Sequence, residues 1–189
     1  MTAEVVMLTV WIVWLVLWWA AAFWSDRAVK APPRRYQLLY RVLPALGGGL
    51  LFGARSEELR LWHTPDVIAW VMVAVALAGF TFTWWARIHL GRLWSSSVSR
   101  KAEHHIVDTG PYRIVRHPIY TGIILASAGL AGIGATALGI AGFLLSSAGF
   151  WIKARLEERF LSEELGADAY AAYKARTPML IPFLPTDAN

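Results

Sequence analysis

Apolar residues fill five stretches of this chain, 5–24, 36–53, 65–88, 118–134 and 136–152, and the charged residues fall almost entirely between them. Crossing a bilayer takes about 20 consecutive apolar residues. The pattern therefore predicts an all-α, polytopic membrane protein with about five transmembrane helices, forming a single domain over 1–189. The second stretch is the least regular, with Arg41 one turn in and Pro44 at its middle. It reads either as a kinked span whose arginine snorkels to the headgroups, or as a re-entrant or interfacial helix. The last two stretches meet at Gly132-Ile133-Gly134-Ala135-Thr136, which predicts a tight hairpin. Small residues four apart, Ala135/Gly139 and Gly142/Ser146, suit close helix–helix approach.

The first stretch carries Trp11, Trp14 and Trp18 at helical spacing, with Trp19 and Trp24 beside them. The spacing suits an aromatic surface for a lipid substrate. Trp is enriched at membrane interfaces in any case, and lipid-facing packing is the simpler expectation. No basic segment precedes this stretch and no small-residue cleavage site follows it, so it is expected to be a retained helix rather than a signal peptide.

Composition agrees with the pattern: 57% of residues are apolar and 11 are Trp, against about 45–50% apolar in a soluble domain. The absence of cysteine excludes disulfides, thiolate metal sites and cysteine nucleophiles. A net charge of +5 raises nucleic acid as a partner, but the charges flank apolar runs instead of forming one soluble face, so none is expected. Lys and Arg number four in 25–35, six in 87–116 and five in 153–176, against two in 54–64 and none in the hairpin turn. The positive-inside rule then predicts an outside N-terminus, with 104–122 and the C-terminal segment 153–189 sharing the cytoplasmic side.

The interval 104–122, HHIVDTGPYRIVRHPIYTG, is the longest polar one and the densest in chemistry. Pro118 suits the first turn of a helix, which places His117 at the cap beside unpaired backbone donors able to hold a polar cofactor. By itself His117 reads more simply as a capping or interfacial histidine. Gly110-Pro111 predicts a turn that folds 104–107 back alongside 117–120. Adjacent His104 and His105 do not point at one ion, so no metal site is expected.

Within 153–176, Leu156, Phe160, Leu161 and Leu165 form an apolar stripe beside Glu157, Glu158, Glu163 and Glu164. That is an amphipathic helix, interfacial or serving as a lid. Gly166 is expected to interrupt it, with Tyr170 and Tyr173 on a second short helix. Lys153 and Glu157 lie four apart and share a face. They read as a surface ion pair, or as a ligand pair in which Glu157 meets a cationic group and Lys153 or Arg155 an anionic one.

The 104–122 motif, the apolar hairpin and then KARLEERFLSEELGADAYAAYKARTPMLIPFLP together resemble the isoprenylcysteine carboxyl methyltransferase family. That family's pattern is approximately H-x-L-V-T-x-G-x-Y-x-x-x-R-H-P-x-Y-x-G, then R-x-x-x-E-E, F-G-x-x-Y-x-x-Y and a proline-rich end. The ordered combination covers the C-terminal half; the N-terminal spans match only in hydrophobic character. The resemblance implies a membrane-embedded methyltransferase using S-adenosylmethionine. His104, His105, Ile106, Val107, Tyr112, His117, Pro118, Ile119 and Tyr120 would line the cofactor site, and Glu157 would join them. Lys153 stands where the family usually has Arg, and Arg155 and Arg176 are the further candidates for holding the substrate. Asp108 and Leu165 also depart, standing where Thr and Phe are usual.

Methyl transfer from a sulfonium to an ionised carboxylate needs alignment and exclusion of water, with no general base. Lys153, Arg155 and Glu157 are then the expected catalytic group. The expected acceptor is lipophilic, an isoprenylated cysteine carboxylate or analogue, reaching the site from the bilayer. The alternatives are a phospholipid or small-thiol acceptor, an NADPH-dependent membrane reductase of related core, or a membrane scaffold without activity.

Overall fold

A computed structural model describes residues 1–21, 34–53, 56–95, 106–184 and 186. They contain six α-helices: α1 Ala3–Ala21, α2 Arg34–Gly53, α3 Asp66–Leu90, α4 Pro118–Gly134, α5 Ala137–Leu165 and α6 Ala167–Arg176. No strand occurs among them, and the protein is an all-α membrane protein. Among the described residues, three segments are long and apolar enough to cross a bilayer, Ala3–Ala21, Asp66–Leu93 and Ala137–Leu165. α4, at 17 residues, is apolar but shorter. α2 starts Arg34-Arg35 and carries Arg41, and it continues through Pro44 without a break.

The helices pair, α2 along α5 and α3 along α4, with α1 leaning on α3. Both pairings depend on missing side chains. A Cβ on Gly79 would stand 2.5 Å from the carbonyl oxygen of Gly122, so the two backbones touch at that crossing. A Cβ on Gly142 would stand 2.5 Å from Gly47 O, and Gly149 gives the ring of Pro44 its space, with Pro44 Cδ 2.5 Å from the position of a Cβ. The Gly142/Ser146 pair thus does serve helix approach. Ala135/Gly139 does not: Ala135 closes α4 in a left-handed conformation (φ 52°), and Gly139 N donates to Thr136 Oγ1 at 3.0 Å to cap α5.

The hairpin at 132–136 forms as expected, but its second helix is longer than a span. α5 runs 29 residues, straight through the expected boundary at 152/153 to Gly166. No Gly or Pro interrupts Ile152–Leu165, and Lys-Ala-Arg-Leu-Glu-Glu-Arg is a strong helix-forming run. At 1.5 Å per residue the rod is about 43 Å long, longer than the roughly 30 Å of hydrocarbon. Its C-terminal part therefore carries Lys153 and Glu157 on the same rigid element that is buried in the apolar core.

The two ends of the molecule differ. At one, Glu4 pairs with Arg60, Leu61 N donates to Ala135 O at 2.8 Å, and Thr64 Oγ1 donates to Gly132 O at 3.0 Å. The start of the chain, the 56–64 loop and the hairpin turn, all poor in Lys and Arg, meet there. At the other end 106–117 packs against α6 and the strap 177–184 that follows it. Trp11 and Trp14 are buried between these ends: Trp11 meets Phe80 and Phe52 edge-on, and Trp14 stacks on Phe80 at 4.7 Å. The lipid-facing expectation fails for both and holds for Trp19, which is 72% exposed. Trp24 lies outside the described residues.

Candidate functional site

Arg116 is the fixed point of the site. Its side chain is fully buried; Nε donates to Glu158 Oε1 at 2.6 Å, and Nη1 donates to the carbonyls of Thr177 and, at 3.2 Å, Lys174. Glu158 also takes His117 Nε2 at 3.2 Å and lies 3.8 Å from Lys174 Nζ. A buried carboxylate is tolerated only when paired and hydrogen-bonded, and here it is both. The backbone adds two bonds, Arg116 N to Pro178 O at 2.9 Å and His117 N to Met179 O at 3.1 Å. Thr121 Oγ1 donates to Leu180 O at 2.6 Å. Together they tie the 177–180 strap across the start of α4.

That clasp sets one wall. His117 occupies the cap position of α4, as Pro118 predicts, but its ring makes no capping bond. It turns to the glutamates of α5 and stacks on Tyr120 (5.3 Å, 6° between planes). Tyr120 OH donates to Glu157 Oε2 at 2.6 Å, and His117 Nδ1 lies 3.8 Å from the same oxygen. Neither contact uses Oε1. Lys153, one turn earlier on α5, holds its ammonium 5.0 Å from the Tyr120 ring centre and 5.7 Å from that of Tyr40, within cation–π range.

Behind Tyr112 the backbone turns at Gly110, whose φ of +56° suits glycine. A Cβ there would stand 2.8 Å from the His89 ring. Tyr173 OH donates to Tyr112 O at 2.7 Å, and Tyr112 OH reaches Ala86 O at 3.5 Å. Burial, the largest cause, pushes the phenols of Tyr112, Tyr170 and Tyr173 up, so all three stay protonated and can donate.

These groups enclose a cavity of about 400 Å³. Its polar end is formed by Tyr112, Arg116, His117, Tyr120, Lys153 and Glu157, and its apolar end by Trp11, Trp14, Trp18, Phe52 and Ile123. Of the candidate residues, Ile106, Val107, Tyr112, His117, Pro118, Ile119, Tyr120, Lys153 and Glu157 all line it. His104 and His105 lie outside the described residues.

Two candidates are elsewhere. Arg155 is 200° around α5 from Lys153 at 100° per residue, so it points away, exposed, with its guanidinium 5.2 Å from the Trp151 ring centre. Arg176 ends α6 on the surface, pairing with Asp108 at 3.0 Å, both groups well exposed. The pattern also missed contributors. Arg116 and Glu158 looked like ordinary members of polar runs, and their only signal was that both stand at fixed positions of the family pattern, the Arg before His-Pro and the second Glu of Glu-Glu. Trp11, Trp14 and Trp18 line the cavity as well as filling the core. Among the described residues, no three His, Cys, Asp or Glu side chains group as metal ligands.

Fold and cavity together define an integral membrane protein whose long helix carries a cation and a carboxylate into a pocket that is polar at one end and apolar at the other. Residues 69–163 match the family model described as the isoprenylcysteine carboxyl methyltransferase (ICMT) family. The chain belongs to that family. It is 27% identical over 180 residues to a rice protein named probable protein-S-isoprenylcysteine O-methyltransferase, in both indica and japonica subspecies, covering 87% of each chain. It is 31% identical over 140 residues to the cobalt-zinc-cadmium resistance protein CzcN of Cupriavidus metallidurans, covering 71% of this chain and 57% of that protein.

Proposed function

We propose that this protein transfers the methyl group of S-adenosylmethionine to a lipophilic acceptor, most simply the carboxylate of an isoprenylated cysteine or an analogue of it. The observation that carries the reading is the convergence of Lys153 and Glu157, from α5, with 106–107, Tyr112 and 117–120 in one cavity. The volume falls within the roughly 300–1,000 Å³ usual for small-molecule sites. The donor set suits a zwitterionic cofactor. Among the described residues, the contacts of Glu157 use Oε2 and leave Oε1 without a protein partner, and Arg116 Nη2 is buried with no hydrogen-bond partner.

When bound, the cofactor supplies a methyl group on a sulfonium, activated for in-line transfer. The protein's part is alignment and exclusion of water. Glu157, oriented by Tyr120, accepts hydrogen bonds from the cofactor's amino or ribose groups, and Ile106, Val107 and Tyr112 form the facing wall. Lys153, steadied over Tyr120 and Tyr40, orients an anionic acceptor as a point charge, without the bidentate grip of arginine. The Trp-lined end receives the apolar tail, which enters from the bilayer between helices. No general base is required, because the acceptor is already ionised. The positive-inside rule favours the cytoplasmic side for this site.

Turnover of labelled S-adenosylmethionine against prenylcysteine, phospholipid and small-thiol acceptors, with NADPH consumption as a parallel readout, tests the assignment. Methyl transfer to the prenylcysteine, lost in Lys153→Ala and regained in Lys153→Arg, is expected. Consumption of NADPH, or full turnover by Lys153→Ala, would contradict it.

A further inference from the structure

A second cavity, of about 1040 Å³, lies on the opposite side of α5, walled by α3, α4, α5 and the strap after α6. On α5 its wall includes Leu144, Ala148, Trp151 and Arg155, positions three or four apart that make one face, with Phe143 and Ser147 beside them. From Leu144 to Arg155 that face rises about 16 Å at 1.5 Å per residue, about half the ~30 Å hydrocarbon core and so the depth of one leaflet. Apart from Thr121 and Ser147, the side chains lining the groove are apolar until its last position, where Arg155 lies over Trp151. Trp151 is 46% exposed, as suits an indole at headgroup level.

The mouth is electropositive. Arg155, Arg159 one turn on, and Arg113 beside the groove residue Ile114 are all exposed, and among the described residues none of them pairs with a carboxylate. Like charges four apart on a helix repel unless an anion meets them. We propose that this groove is a binding site for one anionic phospholipid. An acyl chain lies along Leu144, Ala148 and Trp151, and the phosphate sits against Arg155. An uncharged isoprenoid chain would fill the apolar part and leave the arginines unmet. A phospholipid with a net negative headgroup satisfies both.

Native mass spectrometry of delipidated protein, titrated with phosphatidylglycerol and phosphatidylcholine of identical chains, tests this without any cofactor. Its outcome is therefore independent of the methyl-donor reading. One phosphatidylglycerol is expected to be retained in preference to phosphatidylcholine by about fivefold or more. Arg155→Gln, a surface change, is expected to abolish that preference. Ala148→Trp, which fills the groove, is expected to weaken both lipids. Equal retention of the two lipids, a preference that survives Arg155→Gln, displacement of the phospholipid by a farnesyl chain, or a dimer whose formation excludes lipid would each overturn the proposal.

Discussion

Glu158 is enclosed by Arg116, His117 and Lys174, whereas Glu157, one residue earlier, reaches the cavity with one oxygen held by Tyr120. Neighbours on a helix point 100° apart, so on α5 one carboxylate faces the clasp and the other the cavity. The two should fail differently. Glu158→Ala strands a buried guanidinium, which costs about 3–5 kcal/mol, and a melting curve in detergent should show a large drop or no folded protein. Glu157→Ala should melt close to wild type. Lys153 and Glu157 were legible as a pair from their four-residue spacing, and His117 from Pro118 behind it. Arg116 and Glu158 were not, because they lie 42 residues apart and nothing local marks either as buried. Arg155 was misplaced by treating Lys153 and Arg155 as interchangeable neighbours, although a helix sends them to opposite sides.

The helix pairs rest on close backbone approach, and this can be tested without touching the cavity. A side chain at Gly122 would meet Gly79 O and the hydroxyl of Thr83, so Gly122→Leu must push α3 and α4 apart. A melting temperature well below wild type is expected. Gly49 has nothing within 4 Å of a Cβ, and Gly49→Ala should be neutral or gain up to about 1 kcal/mol from helix propensity. Comparable losses in both would mean the crossings are not as described. Within the described residues all five apolar runs form helices, since length and apolarity suffice for that. Which face of each turns inward was hidden, because a helix that is apolar all round carries no amphipathic signal. Trp11 and Trp14 therefore read as lipid-facing and proved to be core. The end of α5 was hidden for a related reason: the change from apolar to charged at Lys153 marks the membrane surface, not the end of the helix.

Across the whole molecule, the charge-poor segments gather at one end and the site with its strap at the other, the grouping that the Lys/Arg count predicts. The count also predicts an orientation. Because the chain has no cysteine, single cysteines report cleanly: Glu58→Cys should react with an impermeant maleimide added outside intact cells. Asp168→Cys, exposed on α6, should react only after permeabilisation. The reverse pattern would put the cavity on the outer face.

The central claim is that the cavity between α5 and the 106–120 wall holds the methyl donor through Glu157. Calorimetric titration of the purified protein with S-adenosylhomocysteine, beside Glu157→Ala of matched melting temperature, tests it most directly. One site per chain is expected, weakened about tenfold or more in the variant, as loss of a charge-assisted hydrogen bond implies. Absence of binding by folded wild-type protein at millimolar ligand, or equal affinity in the two proteins, would contradict the account.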